Sequence, residues 1–261
     1  MKQRVITAVI ALIVFIPILI YGGWAFNILG VVLGLIGISE IITMKKKLLI
    51  SPEAIFTFLA GLCLLFPIGF MHFTAKSPIG WTGFTIFMLC LLIWTVFSKN
   101  RFSFEDAGSL ILGALYIGLG FHYMLVARSV GLSTMFYAFI VVWMTDTGAY
   151  MIGRKIGRNK LAPHVSPNKT WEGSIGGTLV AVIVAGIYLY FFPQRYSLGI
   201  MIGLTVIFSI AGQLGDLIES ALKRHFGVKD SGQILPGHGG ILDRFDSLLL
   251  VLPVMHFLGI F

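Results

Sequence analysis

The sequence predicts an all-α integral membrane protein of about nine transmembrane helices, with a cytoplasmic N-terminus and an external C-terminus. Three observations carry that prediction. Of the 261 residues 57% are hydrophobic and only 11% charged, the apolar residues fall in runs long enough to cross a bilayer, and the cations gather in alternate loops. A soluble domain carries roughly 25% charged and 45–50% apolar residues, so an ordinary globular enzyme is excluded. Disordered and fibrous classes are excluded by the same composition. Thirty-one glycines and 22 phenylalanines suit spanning helices, where Gly lets backbones approach closely.

A span needs about 20 mostly apolar residues. Nine runs meet that length: Val5–Tyr21, Trp24–Met44, Ala54–Phe73, Ile79–Phe97, Ala107–Val126, Thr134–Met151, Ser174–Phe192, Leu198–Leu222 and Ile241–Ile260. The first follows a charged start, Met1-Lys2-Gln3-Arg4, as a signal peptide would. It reaches Tyr21 without an A-x-A-like cleavage motif, so a retained helix is expected. Sixteen of the 19 Lys and Arg residues then fall on the side of the N-terminus, leaving Lys76, Arg128 and Arg195 opposite. The positive-inside rule places the richer side in the cytoplasm. The net charge of +8, which would point to nucleic acid in a soluble chain, is accordingly read as orientation, and no nucleic-acid partner is expected. Cys63 and Cys90 lie inside apolar runs without metal or disulfide spacing and read as packing residues. His72, His122 and His256, also in apolar runs, read the same way.

The two halves differ in character. Residues 1–130 form a hydrophobic scaffold of about five helices with short loops, whereas 131–261 bring acids into the spans and carry two long basic cytoplasmic loops, about 152–173 and 223–240. Function is expected in the second region. A carboxylate at the bilayer centre costs roughly 2.5–3.5 kcal/mol even on insertion scales, so an acid within a span is a functional candidate. Asp146, Asp216, Glu219, Asp243 and Asp246 qualify. Asp216 and Glu219 are three residues apart, as are Asp243 and Asp246, which on a helix places each pair on one face. Such acids suit a hard cation such as Mg²⁺, a proton relay, or structural ion pairs with Lys223, Arg224 and Arg244. Glu40, near Lys45, Lys46 and Lys47, reads as a local ion pair.

The loop before the ninth run contains Lys223, Arg224 and Lys229 and then Pro236-Gly237-His238-Gly239-Gly240. Its glycines permit tight turns whose N–H groups approach a ligand, and a Gly-rich turn opening a helix suits an anion. Cations beside carboxylates describe a place for a phosphate ester bridged by metal. A basic juxtamembrane loop also serves simply as a topological marker. The earlier loop repeats the theme with Arg154, Lys155, Arg158 and Lys160 followed by Ser166-Pro167-Asn168-Lys169-Thr170. Attraction to anionic lipid accounts for its charge, but not for the order of its polar residues.

The stretch from Ser220-Ala221-Leu222-Lys223-Arg224 through Lys229-Asp230-Ser231-Gly232 to Leu235-Pro236-Gly237-His238-Gly239-Gly240-Ile241-Leu242-Asp243-Arg244-Phe245-Asp246 resembles the signature of phosphatidate cytidylyltransferases, also called CDP-diacylglycerol synthases. It spans 27 residues with many fixed positions. Asp146-Thr147-Gly148-Ala149-Tyr150, Gly153-Arg154, Gly157, Lys160-Leu161 and Ser166 to Gly173 are also similar to that family, so the resemblance covers roughly residues 140–260. It implies a reaction of CTP with phosphatidic acid to give CDP-diacylglycerol and pyrophosphate, with Mg²⁺ required as one ion or two. On this reading Asp216, Asp243 and Asp246 are expected to bind metal. Lys223, Arg224, Lys229 and Arg244 neutralise phosphates, with Lys223 counted alongside the three acids as catalytic. Asp146, Ser166, Asn168, Lys169, Thr170, His238, Gly239 and Gly240 complete the substrate-binding surface. The resemblance further implies a homodimer among membrane lipids, and the compact length implies a bacterial cytoplasmic membrane with the active site facing the cytoplasm.

Two rivals are weighed against this reading. A CTP-dependent lipid kinase of the polyprenol or phytol type would transfer a γ-phosphoryl group to an alcohol and release CDP instead of pyrophosphate. A secondary transporter also carries acids and Gly-rich helices in the membrane, but would spread its polar groups near the midplane of related halves.

Overall fold

The structure, a computed structural model, describes residues 2–65, 79–99 and 101–261. The end of the run Ala54–Phe73, with His72 and Lys76, lies outside the described residues. Among those described, nine α-helices coincide with the nine apolar runs: α1 Lys2–Tyr21, α2 Gly23–Met44, α3 Pro52–Leu65, α4 Ile79–Phe97, α5 Phe104–Val130, α6 Leu132–Ile156, α7 Trp171–Phe191, α8 Leu198–His225 and α9 Leu242–Phe257. Six of them (α2, α4, α5, α6, α7 and α8) are long and apolar enough to cross a membrane. On α4 the exposed residues include Trp81, Ile86, Leu89, Ile93, Val96 and Phe97. A surface of that kind is at home against lipid and would aggregate in water.

The loop after α6 is more ordered than its composition predicts. It contains an antiparallel hairpin of β1, Lys160–Ala162, and β2, Ser166–Thr170, with Lys160 opposite Thr170 and Ala162 opposite Ser166. The end of β2 doubles as the start of a helix, because Thr170 Oγ1 accepts the Gly173 N–H at 3.2 Å and so caps α7. Glu172, in the first turn of α7, accepts the Arg158 and Asn159 N–H groups at 3.1 and 3.2 Å and Asn159 Nδ2 at 2.8 Å. The hairpin is thereby tied at both of its ends.

The chain divides into two compact units. Unit 1 comprises Met1–Val126 and Asp230–Asp243. Its α1 and α2 are joined at Gly22 and Gly23, whose φ angles of 68° and 55° lie in the left-handed region that glycine enters without strain. Helix α5 opens with a reciprocal cap: Ser103 Oγ accepts the Asp106 N–H at 3.0 Å while Asp106 Oδ2 accepts the Ser103 N–H at 3.3 Å. Asp106 also receives Lys45 at 2.8 Å and Lys47 at 3.0 Å. Lys45 and Lys47, which the sequence allots to Glu40, therefore pair with Asp106, and Glu40 is engaged elsewhere.

Unit 2 comprises Ala127–Lys229 and Arg244–Phe261. Here α6 and α7 run against each other along a seam of small residues. A Cβ on Gly173 would stand 2.8 Å from the Ala149 carbonyl oxygen, and one on Gly177 would stand 2.9 Å from the Ala149 Cβ. Without a hydrophobic drive between helices inside lipid, close packing and interhelical hydrogen bonds supply the attraction. The bonds are present: Tyr137 Oη to Thr205 Oγ1 at 2.8 Å, Thr145 Oγ1 to Ser209 Oγ at 2.9 Å, Ser209 Oγ to Thr178 Oγ1 at 2.9 Å, and Gln213 Nε2 to Thr178 Oγ1 at 3.1 Å. This polar column locks α6, α7 and α8 in register and leads along α8 toward Asp216.

Candidate active site

Unit 2 gathers one acid from each of three helices. Asp146 on α6, Asp216 on α8 and Asp246 on α9 lie within electrostatic range of one another and of Lys169 on β2. Lys169 Nζ stands 2.5 Å from Asp216 Oδ2, and Ser220 Oγ donates to Asp216 Oδ1 at 3.3 Å. The Ser247 N–H donates to Asp246 Oδ1 at 2.7 Å. Helix α8 reaches α9 at this level through Gly215, where a Cβ would be 2.6 Å from the Asp246 carbonyl oxygen and 3.0 Å from the Ser247 Cα. Only the missing side chain at 215 permits the approach.

Carboxylates in proximity tolerate a shared negative charge only when protonated or joined by a cation. The donors are all oxygen, which suits Mg²⁺ rather than a thiophilic metal. Among the described residues no three His, Cys, Asp or Glu side chains converge on one point. Mg²⁺ commonly takes one or two carboxylates and fills its octahedron with water and substrate phosphate oxygens. The acid group therefore fits a Mg²⁺ that arrives with a phosphate ligand.

The remaining candidates of unit 2 surround this group in sequence but differ in setting. Lys223 pairs with Glu219 one turn earlier on α8, which makes that acid the structural ion pair that the sequence allowed for. Arg224 Nε donates to the Val165 carbonyl at 3.4 Å, linking α8 to the hairpin. Asn168, Lys229 and Arg244 are exposed, Ser166 is half-buried and Thr170 is buried in its capping role.

In unit 1 the glycine-rich part of the signature folds into a compact loop. Leu235 N–H donates to Gly239 O at 3.0 Å and His238 N–H to Leu235 O at 2.8 Å, closing a tight turn. Gly237 and Gly239 hold φ angles of 77° and 84° there. His238 is half-buried and Gly240 buried. Asp243, in the first turn of α9, accepts with Oδ2 from Ser231 N–H at 2.8 Å, Ser231 Oγ at 2.9 Å and Gly240 N–H at 2.8 Å. One of its two oxygens is thus committed to organising the loop.

Sequence reasoning took Glu40 for a local ion pair and not for a residue of the site. Its Oε1 accepts the Ile241 N–H at 2.7 Å, and its Oε2 accepts the Leu242 N–H at 3.0 Å and the Ser231 hydroxyl at 2.8 Å. Its side chain therefore sits where the dipole and free N–H groups of α9 attract an anion. The signal was available: an acid in an apolar run, subject to the same insertion cost that singled out the other five.

A model of the cytidylyltransferase family matches residues 2–261. Proteins named phosphatidate cytidylyltransferase from Staphylococcus haemolyticus, Staphylococcus aureus and Staphylococcus saprophyticus are 48%, 46% and 45% identical to this chain over 258, 259 and 258 residues. Each alignment covers 99% of this chain and 98% of the relative. The likeness read from residues about 140–260 thus extends through the first half, where the residues themselves suggested only a run of apolar helices. With a family match from one end to the other and near-half identity to its relatives, the chain belongs to the cytidylyltransferase family.

Proposed function

We propose that the chain transfers a cytidylyl group from CTP to phosphatidic acid, giving CDP-diacylglycerol and pyrophosphate. The observation that carries this reading is the group formed by Asp146, Asp216 and Asp246 with Lys169, in a chain whose relatives bear the name of that activity. An oxygen of the phosphatidate phosphate forms a bond to the α-phosphorus of CTP. The bond from that phosphorus to the α–β bridging oxygen breaks, and its electron pair departs on pyrophosphate. A phosphate monoester has its second pKa near 6, so the dianion is present at neutral pH and no protein nucleophile is needed. Catalysis then rests on positioning and on neutralising charge.

We assign Mg²⁺ to Asp216, Asp243 and Asp246, as one ion or two; when bound, it screens phosphate oxygens and favours departure of pyrophosphate. Lys169, paired with Asp216, would exchange that carboxylate for a phosphate oxygen. Lys223, Arg224, Lys229 and Arg244 add positive charge, and Arg can grip a phosphate through two parallel N–H bonds. Asp146, Ser166, Asn168, Thr170, His238, Gly239 and Gly240 are assigned to the rest of the substrate surface. A site at the membrane boundary would admit a soluble nucleotide and a bilayer-resident lipid together. The reading includes nine spans, a cytoplasmic N-terminus, an external C-terminus, a bacterial cytoplasmic membrane with the active site facing the cytoplasm, and a homodimer.

The test uses purified protein in detergent with Mg²⁺, phosphatidic acid and CTP labelled in the cytosine ring. Label entering the organic phase with equimolar pyrophosphate, abolished by EDTA, is the expected result. Unlabelled lipid phosphate with CDP released from a lipid alcohol would replace the reading by a lipid kinase, and absence of nucleotide turnover in folded protein would overturn both.

A further inference from the structure

We infer that Glu40, on the second helix of the N-terminal half, is a positioning residue that holds the signature loop and sets Asp243 in place. The inference rests on the proposed role of Asp243 and adds to it a part for residues outside the signature. Within unit 1, two carboxylates share one set of donors. Glu40 takes the Ile241 and Leu242 N–H groups, Asp243 takes the Ser231 and Gly240 N–H groups, and the Ser231 hydroxyl lies 2.8 Å from Glu40 Oε2 and 2.9 Å from Asp243 Oδ2. A hydroxyl carries a single hydrogen, so Ser231 Oγ–H serves the two acids together and couples their positions.

Shape supports the same conclusion. Glu40 is buried, 4% exposed, at a place where an unsatisfied carboxylate would be costly. A Cβ on Gly232 would stand 2.8 Å from Glu40 Oε1 and 3.0 Å from its Cδ, and a Cβ on Gly240 would overlap both Glu40 and Ser231. Two signature glycines thus leave room for this one side chain. One turn earlier on α2, a Cβ on Gly37 would be 3.1 Å from Leu242 Cδ2, so the face of α2 that carries Glu40 is the face against which α9 begins. Outer-shell partners of this kind orient a metal-binding carboxylate, and their loss commonly lowers metal affinity or activity by about 10–100-fold.

The test compares Glu40→Ala, Glu40→Gln and Gly232→Ala with the parent protein by two readouts. Amide hydrogen exchange is measured without metal or nucleotide. Faster exchange at Ser231 and Gly240–Leu242 in Glu40→Ala, with α6–α8 unchanged, is expected. Glu40→Gln, which keeps one acceptor oxygen, should lie between parent and Ala. The second readout is the half-saturating Mg²⁺ concentration in the cytidylyl assay, expected to rise about tenfold in Glu40→Ala and in Gly232→Ala. A purely structural residue would lower the amount of active protein and leave that concentration unchanged. Unaltered exchange at 231–242, or uniformly faster exchange with an unaltered Mg²⁺ requirement, would overturn the inference. A parent protein that makes no CDP-lipid would count against the proposed reaction, and the exchange measurement would still decide the role of Glu40.

Discussion

Lys169 reaches Asp216 across unit 2 with Nζ 2.5 Å from Oδ2, so a residue at the end of a loop hairpin neutralises an acid on a long apolar helix. The hairpin sets the reach of the lysine, and α8 sets the height of the acid. Removal of the ammonium should expose Asp216 to the repulsion of Asp146 and Asp246 and deprive a phosphate of its partner. Lys169→Met is therefore expected to lower kcat/KM by about 10²–10³, the range seen when one preorganised donor is removed. Lys169→Arg should recover part of the loss, and kinetics of both variants in one detergent preparation check the pair.

Asp243→Asn should abolish turnover while leaving the helix content of the protein unchanged. The amide oxygen of Asn can still accept from Ser231 and Gly240, so the loop keeps its anchor while the negative charge is lost. Circular dichroism and activity measured side by side test this, and near-normal activity would sink the assignment of Asp243 to metal.

EDTA should silence the protein without unfolding it, and added Mg²⁺ should restore activity. The pH dependence should follow the lipid substrate. Below about pH 6 the phosphatidate phosphate passes to its monoanion, a weaker nucleophile, so the rate should fall as pH drops through that value. A rate that rises on acidification would contradict attack by the dianion.

Gly215→Ala and Gly203→Ala form a contrast on one helix. The Cβ at 215 would overlap the backbone of α9, whereas the Cβ at 203 meets nothing within 4 Å. Overpacking costs about 1–3 kcal/mol, so Gly215→Ala should lower the melting temperature in detergent and displace Asp246. Gly203→Ala should melt at or slightly above the parent temperature, as expected when Ala replaces Gly inside a helix.

Much of the helical framework was legible because its cause is local. Runs such as Trp24–Met44 and Leu198–Leu222 are apolar for the length of a bilayer, and the structure has α2 over Gly23–Met44 and α8 over Leu198–His225. Asp146, Asp216 and Asp246 stood out by the cost of a charge in an apolar run, although the runs do not say that the three come within electrostatic range of one another and of Lys169. The hairpin escaped notice because residues 152–173 read as a long basic loop. Its strands exist because Glu172 and Thr170 tie the loop back onto α7.

By itself the sequence determined the membrane character, the succession of helices and which acids lie within apolar runs, because each follows from composition or from spacing along the chain, and its motifs carried the family likeness of the second half. Tertiary structure decided the partners. Glu40 meets Ser231 at a separation of 191 residues, and Lys169 rather than Lys223 or Arg224 meets Asp216. Hydrogen bonds and ion pairs act over about 3 Å, so they depend on which helix faces stand together in space, and no local pattern of residues encodes that.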